Sequence, residues 1–477
     1  MVGGGPCGLA ATDQLLGNGV PPGEIAVVSP SVPEPSGATS WRSPTVRSAY
    51  LSSLAGGALT KAINGRAVSL HAAALDGPIS AHWGASCLPL PSTYPLAADS
   101  GFREAYRATV GRWHVSSEQD GLSELYPLTG ETIGDLPRKE LAGRILATSL
   151  SRAAGHSRLA LRGESFGDRG CSGRGLCFHG CPNDSPWSAA EELRTLVTRH
   201  PGLQIVDQPV HELDLHNDRR VGVRAGGAEL SADRVVVAAG WRATSTLLGG
   251  RPPRLDARAE LEQSTVVIST LLLKASASQE DFYQHLTYHD LVLPHLDDRG
   301  HLAALTQVYL PTHELAGRIL ASLPLSKLVA PAMSTILTTE RGSAALGRAM
   351  RHVGVAMTFF PGSSDWTSAS NELSLWKEVA PRDLRMLLGG VGGRVVSAKK
   401  VVLSGGQSQH IGVWAPYRYV IPRLIAGDPD YLRGALRHPR VVAADPCLLP
   451  VLPPGPHTAS AAACGRLLVD ALVRDWS

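Results

Sequence analysis

Apolar and polar positions alternate along the chain with two periods, and the first of them appears at once. Leu9, Ala10, Leu15 and Leu16 recur at helical spacing, and Gly17-Asn18-Gly19 followed by Pro21-Pro22-Gly23 stops that helix and turns the chain. Residues 24–29 (EIAVVS) then form a short apolar run of the kind buried in a parallel sheet. Residues 29–43 are rich in Pro and Ser and predict an irregular loop. A helix is expected over 185–198, opened by a serine cap with glutamates near its start. Short strands are expected at 204–206 and 221–224, and a buried strand at 234–240 (RVVVAAG) leading into a helix near Ala243. From 264 to 400 the pattern changes to strands such as 265–273, 304–310 and 355–360, separated by helices. The tail, 441–477, returns to strand, Pro-rich turn and helix.

These elements predict an α/β protein. A Rossmann-type nucleotide-binding domain is expected over residues 1–263, an inserted α+β substrate domain on an antiparallel sheet over 264–400, and a C-terminal segment returning to the first domain over 401–477. The 477 residues suffice for such a pair of domains, and 43% hydrophobic with 18% charged residues is an ordinary globular balance. A net charge of +3 without a basic stretch, and 5% aromatic residues, give no footprint for nucleic acid. No apolar run reaches the ~18 residues of a spanning helix, so no membrane partner is expected. The N-terminus shows no secretory pattern, and the seven cysteines do not form a disulfide framework, so a cytoplasmic setting is expected.

Chemistry concentrates in a few motifs. Gly3-x-Gly5-x-x-Gly8 leads into a helix and then a strand, the context in which glycines let backbone approach a pyrophosphate at a helix N-terminus. Only Met1 and Val2 precede it, so the first strand of the unit is nearly absent and the true start is expected upstream, or the chain is truncated. Ser29 stands where an acidic residue would hold a ribose hydroxyl. Cys171-x5-Cys177-x3-Cys181-Pro182, with His179 nearby, has ligands suited to a metal or iron–sulfur site, but packing or redox chemistry fits the same residues.

Residues 233–250 (DRVVVAAGWRATSTLLGG) resemble the VVLAAGAxxTPxLLLxSG segment of the glucose-methanol-choline (GMC) oxidoreductases, through Ala238, Ala239, Gly240, Thr244, Leu247 and Leu248. Those enzymes carry FAD and oxidise alcohols and sugars. Val210, in Gln208-Pro209-Val210, falls where that family meets the adenine. Residues 77–84 (GPISAHWG) are similar to the family's GGxSxHWGG loop beside the flavin ring, which makes Ser80, His82 and Trp83 cofactor-contact candidates. The pyranose-oxidase-like branch, which the chain resembles most, attaches its flavin through this histidine. His82 is thus a candidate for covalent attachment, with non-covalent packing beside the ring as the alternative. The same branch has a cysteine element like that at 171–182, with no metal implied.

Residues 404–416 (SGGQSQHIGVWAP) resemble the sugar oxidisers' GGSFHxGGSFPM and set His410 on the catalytic histidine; the commoner HxxGT form would set Gln409 there. Residues 445–458 look like the closing DxSVFPSLP segment and its helix, with Asp445 among the cofactor contacts. His457 then falls near the second active-site residue, although one register puts Gly455 there.

The resemblance implies FAD, a small alcohol or carbohydrate substrate, and oxygen or another electron acceptor. It implies that His410 takes the hydroxyl proton while hydride leaves the same carbon for flavin N5, and that His457 holds the substrate oxygen. Histidine suits this because its pKa lies near neutrality. Two other readings stay open. One is a different FAD enzyme, of monooxygenase or amine-oxidase type, although no second glycine-rich nucleotide loop is present. The other is a degenerate FAD-free homologue without activity, as the short first strand, Ser29 and the divergent histidine motif would suit.

Overall fold

The computed structural model describes residues 1–30, 59–63, 66–70, 85–116, 118–127, 136–151, 153–173, 181, 183–216, 219–249, 261–263, 265–285, 288–313, 315, 345, 347–361, 369–402, 409–411, 417–426, 428, 438, 440–445, 448–449, 454–455 and 457–476. In chain order the first half holds α1 (Pro6–Gly17), β1 (Ala26–Val28), the hairpin β2 (Leu59–Ile63) and β3 (Arg66–Leu70), α2 (Ser100–Arg112), α3 (Glu140–Thr148) and β4 (Gly155–His156). Next come α4 (Ala189–Arg199), β5 (Gln204–Val206), β6 (Val210–Asp214), β7 (Val221–Ala225), β8 (Ala228–Ala232), β9 (Val235–Val237) and α5 (Trp241–Gly249). The second half holds β10 (Leu261–Gln263), β11 (Thr265–Leu272), β12 (Leu291–Leu296), β13 (Leu302–Tyr309), β14 (Val353–Phe359) and α6 (Ala369–Leu388). It ends with β15 (Arg394–Val402), β16 (Gln409–Ile411), β17 (Val441–Ala443) and α7 (Thr458–Trp476).

A parallel sheet organises the half of the fold that carries the glycine loop. β1 pairs with β5, β9 pairs with β17, and Val2 bridges in parallel to both Val28 and Val237. The spatial order is therefore β5, β1, Met1–Val2, β9, β17, the doubly wound order in which the chain reverses direction beside its first strand. Met1 and Val2 thus fill the place of that strand: Val2 N–H donates to Val236 at 2.8 Å and Ala238 N–H donates back to Val2 at 2.7 Å. Val27, Val237 and Ala443 are fully buried, as strands covered on both faces demand. The alanines of α7 at 459 and 461–463 are buried, and Gly465 would bring a Cβ to 3.6 Å from the Cys7 carbonyl. Those small residues let α1 lie close along α7, which also packs on α2.

The second half is a six-stranded antiparallel sheet in the order β15-β11-β14-β13-β12-β4. Strand alternation sends Val267, Leu271, Leu291, Leu293, Ala304, Val308 and Ala356 to one face, where Trp376, Ala380, Leu384 and Leu387 of α6 cover them. The expected boundary at 263/264 needs amendment, because β4 pairs with β12 and Leu141, Ala142 and Ile145 of α3 join this second core. The two crossings between the halves run side by side, since β10 pairs with β16. A buried ion pair, Lys139 Nζ to Asp290 at 2.7 Å, ties residues ahead of α3 to the start of β12.

The helix expected at 185–198 begins at Ala189 instead, with Ser188 as its cap accepting from the Glu191 N–H. Leu161 bridges Pro186, so the chain is extended there and the helix cannot start earlier. The buried strand expected over 234–240 is limited to 235–237, because Ala239 and Gly240 already turn into α5.

Candidate active site

The glycine loop lies where the strand order reverses. Gly3 has φ +104°, and a Cβ there would stand 2.2 Å from the Ala238 carbonyl oxygen. A Cβ on Gly8 would stand 2.0 Å from the Gly3 carbonyl oxygen, so this turn of α1 packs directly on the loop. Gly5 is the N-cap of α1 in extended backbone; it supplies no side-chain cap, and no acidic residue occupies the first helical turn. The positive end of a 12-residue helix is thus presented without a protein counter-charge from its own first turn. That is the chemistry a diphosphate requires. Ser29, at the end of β1, packs its hydroxyl against Gly4, so a ribose edge would meet a hydroxyl rather than a carboxylate.

Across the crevice, β9 runs into Ala239 and Gly240, the latter at φ +83°. Ala239 N–H donates to Thr244 Oγ1 at 3.1 Å, and Thr244 Oγ1 donates to a carboxyl oxygen of Asp445 in a very close contact. The Gly240 backbone also bonds this carboxyl. Burial pushes Asp445 up to about 7, and the bonds from Thr244 and Gly240 pull the other way. The structure therefore brings Gly3, Gly5, Gly8, Ala239, Gly240 and Asp445 around one crevice, with the Asp445 carboxyl turned to the β9–α5 turn. Val210 opens β6, half-buried, in the separate antiparallel sheet β6-β7-β8.

His457 immediately precedes α7 and is buried. Its Nδ1 stands 3.4 Å from the Gly455 carbonyl oxygen, which can only accept, so Nδ1 carries the proton and Nε2 presents a lone pair. Burial lowers its pKa to about 4, outweighing the Gly455 bond, so the imidazole is neutral at pH 7. Gly455, at φ +94°, would bring a Cβ to 2.3 Å from Leu305 Cδ2 on β13. His457 thus sits where α7 meets the face of the second sheet opposite α6. From His457 to Gly465, which abuts the start of α1, the helix spans about 12 Å.

His410 lies on β16 with its backbone opposite Glu262 of β10. Its side chain is outside the described residues, as are Ser80, His82, Trp83, Cys177 and His179. Cys171 is buried, and Cys181 Sγ accepts from the Ser185 backbone N–H at 3.4 Å. Among the described residues no group of three or more His, Cys, Asp or Glu could hold a metal ion. Among the same residues no helix is long and apolar enough to cross a membrane.

One buried cluster has no motif in the sequence. His289 Nε2 lies 3.2 Å from Ser86 Oγ, Gln307 Nε2 donates to Ser86 Oγ at 3.4 Å, and Tyr309 donates to Gln307 Oε1 at 3.3 Å. Burial, with a smaller effect from Arg138, lowers His289 to about 3. The one sequence signal for this cluster is that Ser86 follows the 77–84 loop by two residues.

The fold is similar to that of two solved oxidoreductases. Among solved structures, an FAD-dependent oxidoreductase from Chaetomium thermophilum is similar with a TM-score of 0.55 and 11% identity, over 100% of this chain and 99% of that one. Pyridoxine 4-oxidase from Mesorbium loti is similar with a TM-score of 0.52 and 12% identity, over 99% of this chain and 98% of that one. At such identities the likeness is one of fold. No protein-family model matches the sequence, and no curated protein matches it.

Proposed function

We propose that the chain binds FAD across the glycine crevice and oxidises the CH–OH group of an alcohol to a carbonyl, as a GMC-type enzyme. The observation that carries this reading is the pairing of an uncapped, acid-free helix N-terminus at the strand-order reversal with a buried neutral histidine about 12 Å away along α7. The α1 N-terminus and the backbone at Gly3–Gly5 would hold the diphosphate, and Ser29 the ribose edge. FAD, when bound, supplies the two-electron acceptor. The chain's own part is to position and to handle the proton. His457 Nε2 accepts a hydrogen bond from the substrate hydroxyl and fixes its oxygen, and His410 takes the proton. With a pKa near 4, His457 is a weak base at neutral pH, which supports giving the proton to His410.

Purified protein carrying a flavin absorption band, bleached anaerobically by an alcohol, is the expected result; colourless protein would retire the assignment in favour of an FAD-free homologue. Yellow that stays with acid-precipitated protein would mark His82 as covalently attached. His410→Ala should slow flavin reduction by roughly two orders of magnitude or more. An unchanged rate in rapid mixing would remove His410 from the base's role.

A further inference from the structure

The two faces of the six-stranded sheet differ in a way that bears on the substrate. On the α6 side Val267, Leu271, Leu291, Ala304, Val308 and Ala356 are completely buried. On the opposite side, which meets the other half where Leu305 touches Gly455, Val266, Leu305, Gln307 and Phe359 are buried but their neighbours on the same strands are only half-buried. Register aligns Ile268, Met357 and Gln307 in one row across β11, β14 and β13, and Thr270, Val355 and Tyr309 in the next. Ile268, Thr270, Val355, Met357 and Tyr309 all keep partial contact with solvent, although they lie on the inward face. Leu305, one row before Gln307, is about 7 Å from it along β13 and is the residue packed beside the His457 turn. These five side chains and the buried Gln307 therefore form one patch of the inward face, which continues from the Leu305 contact beside the His457 turn.

We propose that this patch takes the body of the substrate, and that the substrate is an uncharged, mostly apolar alcohol rather than a polyhydroxylated sugar. This rests on the reading of the crevice as an alcohol-oxidising FAD site. Ile268, Val355 and Met357 offer only hydrocarbon and thioether surface. None of the six is an acid or a base. The polar groups number three, and Gln307 is already bonded to Ser86 and Tyr309. Each sugar hydroxyl taken from water needs a partner, and an unpaired one is costly. Wet apolar surface gains instead from an aromatic or aliphatic body laid on it.

The test uses the full chain with its flavin and measures anaerobic flavin reduction against concentration for benzyl alcohol, hexanol, glucose and methyl glucoside. Half-saturation for the apolar alcohols is expected about 100-fold below that for either sugar. Met357→Gln should raise half-saturation for benzyl alcohol about tenfold, with the limiting rate within twofold. A sugar that saturates at the lower concentration, or an unchanged half-saturation in both Met357→Gln and the companion Ile268→Ser, overturns the proposal and leaves alcohol oxidation standing. Calorimetric binding of benzaldehyde and glucose to the oxidised protein separates the two claims. Preferred benzaldehyde binding, weakened by Met357→Gln, upholds the apolar patch as the binding surface even where no alcohol bleaches the flavin, and in that case it is the oxidation reading that falls.

Discussion

Single residues in the crevice are constrained by contacts too close to relax. A methyl group on Gly8 would stand 2.0 Å from the Gly3 carbonyl, and backbone on both sides prevents either from moving without opening the turn. Gly8→Ala is therefore expected to cost about 2 kcal/mol or more of stability and to yield protein with little flavin; thermal unfolding and the absorbance ratio of flavin to protein read both effects. Two buried ionisable groups impose opposite pH dependences. His457, lowered to about 4 when folded, leaves the folded state with fewer protons than the unfolded chain between that value and 6.5. Its contribution to stability is present above pH 6.5 and is lost as pH falls toward 4. Asp445, raised from 3.8 to about 7, does the reverse, and its contribution is lost as pH rises through that window. The two windows overlap, so the contributions largely offset in the wild type: denaturant midpoints measured from pH 4 to 8 should fall toward acid in Asp445→Asn, where His457 acts alone, and fall toward neutral in His457→Gln, where Asp445 acts alone. Identical pH profiles for wild type and both variants would contradict these environments.

Elements were legible where a local rule governs them. The glycine run, the Gly17-Asn18-Gly19 stop and the apolar stretch 24–29 fixed α1 and β1 within a few residues, because helix termination and strand burial depend on neighbours in sequence. The start of α4 lies four residues later than the pattern predicts, since the pairing of Pro186 with Leu161, across 25 positions, decides where extended chain ends. Ser188, the actual cap, should show its worth directly: Ser188→Ala is expected to lower stability by about 1 kcal/mol, with Ser185→Ala leaving the Glu191 N–H bond intact. Equal and negligible effects of Ser188→Ala on the helix signal and the melting temperature would remove the cap.

At the scale of the whole molecule, the proposed cofactor site draws on distant stretches of chain: the opening loop, the β9–α5 turn, Asp445 and the turn before α7. A ligand that touches all of them stabilises the folded state by about 2.7 kcal/mol at a hundredfold excess over its dissociation constant. Adding FAD to flavin-depleted protein should accordingly raise the melting temperature by a few degrees, and adding FMN, which lacks the second phosphate and the adenosine, should raise it less. Equal shifts for FAD and FMN would argue against the extended crevice as the binding site.

The sequence by itself determined the glycine loop with the helix and strand that follow it, the apolar strand within 233–250 and the closing helix, because each is written in contiguous residues whose spacing has a local physical meaning. Only the tertiary structure decided three other things. It showed that Met1 and Val2 occupy the central position of a parallel sheet, a place defined by hydrogen bonds to Val28 and Val236 and not by length of strand. It turned the Asp445 carboxyl onto Thr244, 201 residues away. It aligned Ile268, Met357 and Gln307 in one row and joined Gln307 to Ser86 and His289. Register between strands and burial of charge are properties of pairs remote in sequence, and no periodicity within either partner encodes them.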